Sequence, residues 1–125
     1  LAVVRISYAA LSLKIYEKPT CTTCRNLYTL LTERGVDFES VDYHVTGIGE
    51  AELRELLRKA RVGPREFLRT REPLVKELGL DQPAVSEEEL IARMVEHPQL
   101  VQRPIVVSGE RALLARPIER VLELL

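Results

Sequence analysis

The sequence predicts an α/β sandwich built on a mixed sheet, and three observations carry that prediction. Near the start, a short apolar stretch is followed by a helical pattern and a second strand-like stretch. The middle of the chain is helical throughout. Near the end, two β-branched or apolar stretches flank a glycine, and a helical pattern closes the chain. The order is therefore strand–helix–strand, a helical block, then strand–strand–helix, which calls for helices packed against a sheet.

The first strand is "LKIYE" (13–17), apolar-rich and aromatic, and Pro19 stops it. From Thr22 the pattern is helical, with Leu27, Leu30 and Leu31 on one face and Gly35 closing the run. "VDFESVDYH" (36–44) alternates Val36, Phe38, Val41 and Tyr43 with polar residues and reads as the second strand, which His44 ends. "GEAELRELLRKARVG" places Leu53, Leu56 and Leu57 on one stripe after Gly49 as N-cap. "GPREFLRTREPLVKELGL" (63–80) reads as two short helices broken at Pro73. "SEEELIARMVEHP" opens with Ser86 and Glu89 as a capping box and ends at Pro98, with His97 in the position that suits a cation. "PIVVS" (104–108) and "RALLA" (111–115) form a hairpin across Gly109, and "PIERVLELL" (117–125) is a terminal helix with Pro117 in its first turn.

Composition bounds the function. A chain of 125 residues fits one domain and buries a core without staples. Apolar residues make up 46% and charged residues 30%; 18 Lys and Arg against 19 Asp and Glu leave a net charge of −1. That balance gives no footprint for nucleic acid or an anionic membrane, so any basic site is a local cluster of arginines. Two cysteines do not make a secreted disulfide framework. "LAVVRISYAALSL" lacks a signal peptide's basic region and is too short to span a bilayer, so a cytoplasmic protein is expected. Residues 1–12 read as an N-terminal extension to a single domain over 13–125, with Val4, Ile6 and Tyr8 spaced as an added edge strand would be.

Both cysteines stand in "EKPTCTTCRN", as Cys21 and Cys24. Cys21 falls where the helix begins, where free backbone N–H groups and the positive end of the helix dipole favour a thiolate. Lys18 and Arg25 add positive charge nearby, and Cys24 lies one helical turn on, within reach of a disulfide. The expected roles are an exposed, nucleophilic Cys21 and a more buried, resolving Cys24. Two plainer readings compete. A zinc half-site would need two further ligands, and only His44 and His97 are on offer, in no paired spacing. Alternatively, Cys24 is simply a small core residue.

The stretches "KIYEKPTCTTCRN", "REFLRTREPLVKELGL", "HPQLVQRPIVV" and "ARPIERVLELL" resemble the ArsC/Spx family of glutaredoxin-linked arsenate reductases and Spx-type redox regulators. The resemblance covers about residues 13–125 in order. It implies a thioredoxin-like fold: a four-stranded mixed sheet flanked by helices, with a helical insertion between the βαβ and ββα halves. It implies that Cys21 is the nucleophile and that Arg69, Arg103 and Arg116 bind the oxyanion, with a cis bond before Pro104. Lys18, Thr22, Thr23, Arg25 and Pro104 are the expected supporting residues. The arginines make independent chemical sense, because guanidinium groups bind such oxyanions bidentately. The chain departs from the reductase pattern twice: Glu17 stands where those enzymes carry a histidine, and Cys24 where they carry a serine. A charged Glu17 would oppose a thiolate, whereas Cys24 would supply a resolving thiol within the chain.

The function expected is a thiol-dependent oxyanion reductase, arsenate to arsenite. No bound metal or organic cofactor is expected; electrons come from glutathione or a thioredoxin- or glutaredoxin-type protein. The expected partners are a small oxyanion and that donor, with no direct contact to nucleic acid or membrane. Two alternatives stand beside it. One is a general thiol–disulfide oxidoreductase using the Cys21–Cys24 pair. The other is an Spx-like redox regulator that binds RNA polymerase, against which the third arginine, in "ARPIE", weighs.

Overall fold

A computed structural model describes residues 13–125; the expectations for residues 1–12 lie outside the described residues. The strands β1 (Leu13–Glu17), β2 (Phe38–Asp42), β3 (Ile105–Ser108) and β4 (Arg111–Leu114) form one sheet in the order β2-β1-β3-β4. β1 runs parallel to β2 and antiparallel to β3, and β3 pairs antiparallel with β4 across the turn at Gly109, whose φ is 55°. The sheet is thus mixed, with β1 central beside β3. Together with its flanking helices, it is the thioredoxin-like arrangement.

Side chains of β1 alternate between two apolar layers, as a pleated strand requires. Leu13 and Ile15 point to a layer shared with Val106, Leu113, Leu27 and Leu31 of α1 (Thr22–Glu33), and Val121 and Leu124. Tyr16 points the other way, into the layer formed with α3 (Glu50–Ala60) and α5 (Glu87–Glu96) through Leu53, Leu56, Leu57, Leu90 and Met94. The helical insertion therefore covers one face of the sheet, and α1 with the C-terminal segment covers the other. Truncating a fully buried leucine such as Leu31 to alanine should destabilise the fold by about 2–5 kcal/mol.

Local chemistry explains where the elements begin and end. Gly49 caps α3, and Ser86 Oγ accepts from Glu89 N at 3.1 Å to cap α5. Only half of the expected capping box at Ser86 forms, because the Glu89 carboxylate turns to Arg93 at 3.1 Å instead. Three further corrections concern element type. β2 stops at Asp42, whose carboxylate accepts from His44 N at 3.2 Å and caps a short helix α2 (Tyr43–Thr46); His44 lies in that helix and not at the end of a strand. Pro73 does not break a helix but opens α4 (Pro73–Glu77), and the segment before it is a 3₁₀ turn over Pro64–Phe67. The C-terminal segment Ile118–Leu124 is 3₁₀ rather than α-helical. No helix of the described residues is long and apolar enough to cross a membrane.

Candidate active site

Cys21 is the N-cap of α1, in extended backbone with φ −80° and ψ 117°. Its N–H donates to Lys18 O at 2.9 Å, closing the Lys18–Cys21 turn, and its Sγ accepts from Cys24 N at 3.3 Å. A sulfur thus takes one of the orphan donors of the first helical turn. Cys21 is only 8% exposed and Cys24 is fully buried, both as free thiols. The expectation of an exposed Cys21 is corrected accordingly: the sulfur sits in the floor of a cavity, reached through its opening.

Long-range pairing assembles the rest of the site. Leu68 bridges Val101, Arg69 N donates to Leu100 O at 2.7 Å, and Gln102 N donates to Phe67 O at 2.7 Å. This clasp sets the 67–69 segment beside the start of β3, so Arg69 lies beside Gln102, with Nη1 donating to Gln102 Oε1 at 3.2 Å. On the other side, Ala115 N donates to Pro104 O at 2.9 Å and Arg116 Nε donates to Arg103 O at 2.6 Å. The bonds Arg103–Pro104 and Arg116–Pro117 are both cis. Arg116 Nη2 ends 4.0 Å from Cys21 Sγ.

The result is a cavity of about 340 Å³ lined by Thr20, Cys21, Thr22, Thr23, Arg69, Arg71, Gln102, Arg103 and Arg116. Four guanidinium groups and one thiol share it, and among the described residues no carboxylate lines it. A larger groove of about 560 Å³ lies elsewhere, between α3 and α5, where arginines alternate with Glu66 and Glu87 and no nucleophile is present. Charge and chemistry both favour the smaller cavity as the site.

The charged groups of the cavity shift one another's proton affinities. Burial works against the Cys21 thiolate. It is outweighed by hydrogen bonds from the Cys24 thiol and backbone and by the Arg103 guanidinium, so the Cys21 pKa lies below the ordinary thiol value. Cys24 moves the opposite way: burial first, then its bond to Cys21, push it up to about 12. Burial lowers the Arg69 pKa, and the like charges of Arg103 and Arg116 lower it further. Arg103 is 8% exposed and its buried Nε has no hydrogen-bond partner. Burial opposes its charge, but contacts with Cys21 and the Tyr43 hydroxyl hold its pKa up.

Of the residues singled out from sequence, the structure brings Cys21, Thr22, Thr23, Arg69, Arg103 and Arg116 to this cavity. Cys24 and Pro104 are buried and do not line it. Lys18 and Arg25 do not line it, and Arg25 is exposed. The positive charges that act on Cys21 come from Arg103 and Arg116 rather than from these two. Sequence reasoning missed Thr20, Arg71, Gln102 and Tyr43. Tyr43 is fully buried, donates to Val101 O at 2.5 Å and faces Arg103. Gln102 stood next to the "RPI" motif, the one signal that pointed toward it. Among the described residues no group of three or more His, Cys, Asp or Glu side chains is placed to hold a metal ion.

The sequence model of the ArsC family matches residues 16–124. The chain is 45% identical over 112 residues to the uncharacterized protein YfgD of Escherichia coli (strain K12), covering 89% of this chain and 94% of that one. It is 36% identical over 110 residues to an arsenate reductase of Neisseria meningitidis (strain MC58), covering 87% and 94%. Among solved structures, an arsenate reductase from Vibrio cholerae superposes with a TM-score of 0.87 at 37% identity, covering 92% of this chain and 98% of that one.

Proposed function

The chain belongs to the ArsC family, and from that premise we propose that it is a thiol-dependent oxyanion reductase that converts arsenate to arsenite. One observation carries the reading: a thiol of lowered pKa caps a helix in a cavity whose charged lining is entirely guanidinium. Arg69, Arg103 and Arg116 hold the tetrahedral oxyanion through charge-assisted hydrogen bonds. The Cys21 thiolate attacks arsenic, an As–S bond forms, and one oxygen leaves as water after taking up a proton. Arg116, 4.0 Å from the sulfur, offsets the thiolate charge before the attack. A second thiol then attacks the Cys21 sulfur. The S–As electron pair goes to arsenic, which falls from As(V) to As(III) and leaves as arsenite, while an S–S bond forms.

Cys24 is the first candidate for that second thiol, one helical turn below Cys21 and bonded to it through its N–H. A tethered thiol needs no diffusional encounter. Glutathione, or a glutaredoxin- or thioredoxin-type protein, then reduces the disulfide, so thiols supply the electrons throughout. A second reading, a general thiol–disulfide oxidoreductase, draws on the same stacked pair of thiols. The deciding experiment measures arsenite formed from arsenate with glutathione plus glutaredoxin, and separately with thioredoxin, against Cys21→Ser. Arsenite above the Cys21→Ser background supports the proposal. No arsenite with either donor refutes it, and disulfide turnover by the same protein would then favour the second reading.

A further inference from the structure

Glu17 is the last residue of β1 and is 5% exposed, with one carboxylate oxygen, Oε2, that has no hydrogen-bond partner. Strand alternation places it on the same face as Leu13 and Ile15, the face covered by Leu27 and Leu31 of α1. Cys24 and Tyr28 are four residues apart on α1 and share one side of that helix. The Tyr28 hydroxyl faces Glu17, and Oγ of the exposed Ser40 on β2 reaches the same hydroxyl at 3.4 Å. The titratable groups that face Glu17 are Tyr28 and Cys24 from α1 and Asp42 from β2, none of them a cation. A buried acid with an unfilled oxygen and no counter-charge destabilises a fold, so stability does not account for it.

We propose that Glu17 is the proton acceptor for Cys24, taking the thiol proton as Cys24 attacks an adduct on Cys21, and that Tyr28 and Ser40 form the route by which that proton reaches solvent. The attack balances without any further reagent. Glu17 carboxylate takes the Cys24 proton, the Cys24 sulfur bonds to the Cys21 sulfur, and the bond from Cys21 to its adduct breaks with the electron pair leaving on the departing group. The departing group is reduced and the two cysteines are oxidised to a disulfide. The chemistry of the site calls for such an acceptor: burial keeps Cys24 protonated, and burial likewise raises the Glu17 pKa and makes it a stronger base than a solvated carboxylate. Cys21, whose thiolate is already held by Arg103 and the Cys24 N–H, does not need it.

The proposal rests on the preceding reading only in assigning an adduct to Cys21, and its test uses no arsenate. Reduced protein is mixed in a stopped-flow instrument with an aromatic disulfide whose thiolate is coloured. Attack by Cys21 releases one thiolate, and attack by Cys24 on the mixed disulfide releases a second. Glu17→Gln should leave the first phase within about twofold and slow the second about tenfold or more near pH 7. The deficit should close as pH rises and hydroxide replaces the carboxylate. Tyr28→Phe should slow the second phase less. An unchanged second phase in Glu17→Gln, or one slowed by the same factor at every pH, overturns the proposal. Where Glu17→Gln fails to fold by circular dichroism, Glu17→Asp takes its place. A slowed second phase that keeps the wild-type pH dependence supports the assignment, and a phase identical to wild type overturns it. Absence of arsenate turnover would leave this result standing, and an unaffected second phase would leave the arsenate reading standing.

Discussion

Replacing Arg103 with alanine should weaken oxyanion binding without weakening the fold. Arg103 is 8% exposed, its Nε is unpartnered, and it shares a cavity with three other guanidinium groups. Burial lowers the Arg69 pKa, and the Arg103 charge lowers it further by repulsion. Removing it relieves that repulsion and deletes a buried unsatisfied donor, so the usual penalty of truncating a buried side chain is offset. With an oxyanion bound the balance reverses, because a charge-assisted hydrogen bond contributes about 1.5–3 kcal/mol. At about 1.4 kcal/mol per tenfold, Kd should rise roughly tenfold to a hundredfold. Arg103→Lys should fall between, since it keeps the charge and loses the fork. Arg61, an exposed residue outside the cavity, supplies the control. The assay is calorimetric titration of arsenate and of phosphate into Cys21→Ser protein, with thermal melts on the same variants. Equal weakening by Arg103→Ala and Arg61→Ala would remove the case for an arginine-held oxyanion.

Alkylation mapped by mass spectrometry should modify Cys21 first, at pH values below the ordinary thiol titration, and leave Cys24 untouched at neutral pH; the reverse order would invert the assigned roles. Cys24 is neutral in the fold and ionised in the unfolded chain between about 9 and about 12. The unfolded state binds fewer protons there, so stability should fall as pH rises, by up to about 1.4 kcal/mol per pH unit. Cys24→Ser should flatten that limb of the denaturation curve. In turnover, Cys24→Ser should trap an adduct on Cys21 and recover in part as glutathione rises, whereas Cys21→Ser should stay inactive at any donor concentration. Intact mass after one turnover distinguishes an internal disulfide from a glutathione adduct. Finally, purified RNA polymerase should not retain the protein in a pull-down; a stoichiometric complex lost on oxidation would favour the regulator reading.

The parts of the fold that were legible in the sequence are those fixed by local pattern. "LKIYE" matches β1 residue for residue, and the Leu27 and Leu31 spacing foretold the buried face of α1. The errors arise where two patterns coincide. Val41 and Tyr43 alternate as a strand does, yet the Asp42 carboxylate caps a new helix between them, and Tyr43 is buried in either arrangement. In the C-terminal segment, Ile118, Val121, Leu122 and Leu125 carry an α-helical spacing, yet the structure buries Val121 and Leu124, three residues apart, and exposes Leu122 and Leu125. The buried pair follows the 3₁₀ period, which the α-helical stripe masks in the sequence. The arginine cluster had no local signature, because the 67–69 and 100–102 segments are far apart in sequence and are brought together by long-range pairing. Family resemblance alone pointed to Arg69, Arg103 and Arg116. Arg71 stands in the same quoted stretch as Arg69, but the resemblance gives it no role, and an arginine in a charged stretch looks like any solvated surface residue.

The sulfur cap of α1 makes the nucleophile part of the backbone's own hydrogen bonding. As a neutral thiol, Cys21 Sγ is a weak acceptor for the Cys24 N–H; as a thiolate it is a strong one. Each covalent step that consumes the thiolate therefore loosens the opening turn of the helix, and each reduction tightens it again. Amide hydrogen exchange at Cys24 should follow that alternation, slow in the reduced protein and faster once Cys21 carries an adduct. A single backbone proton would then report the chemical state of the sulfur beside it, with no label attached to either cysteine.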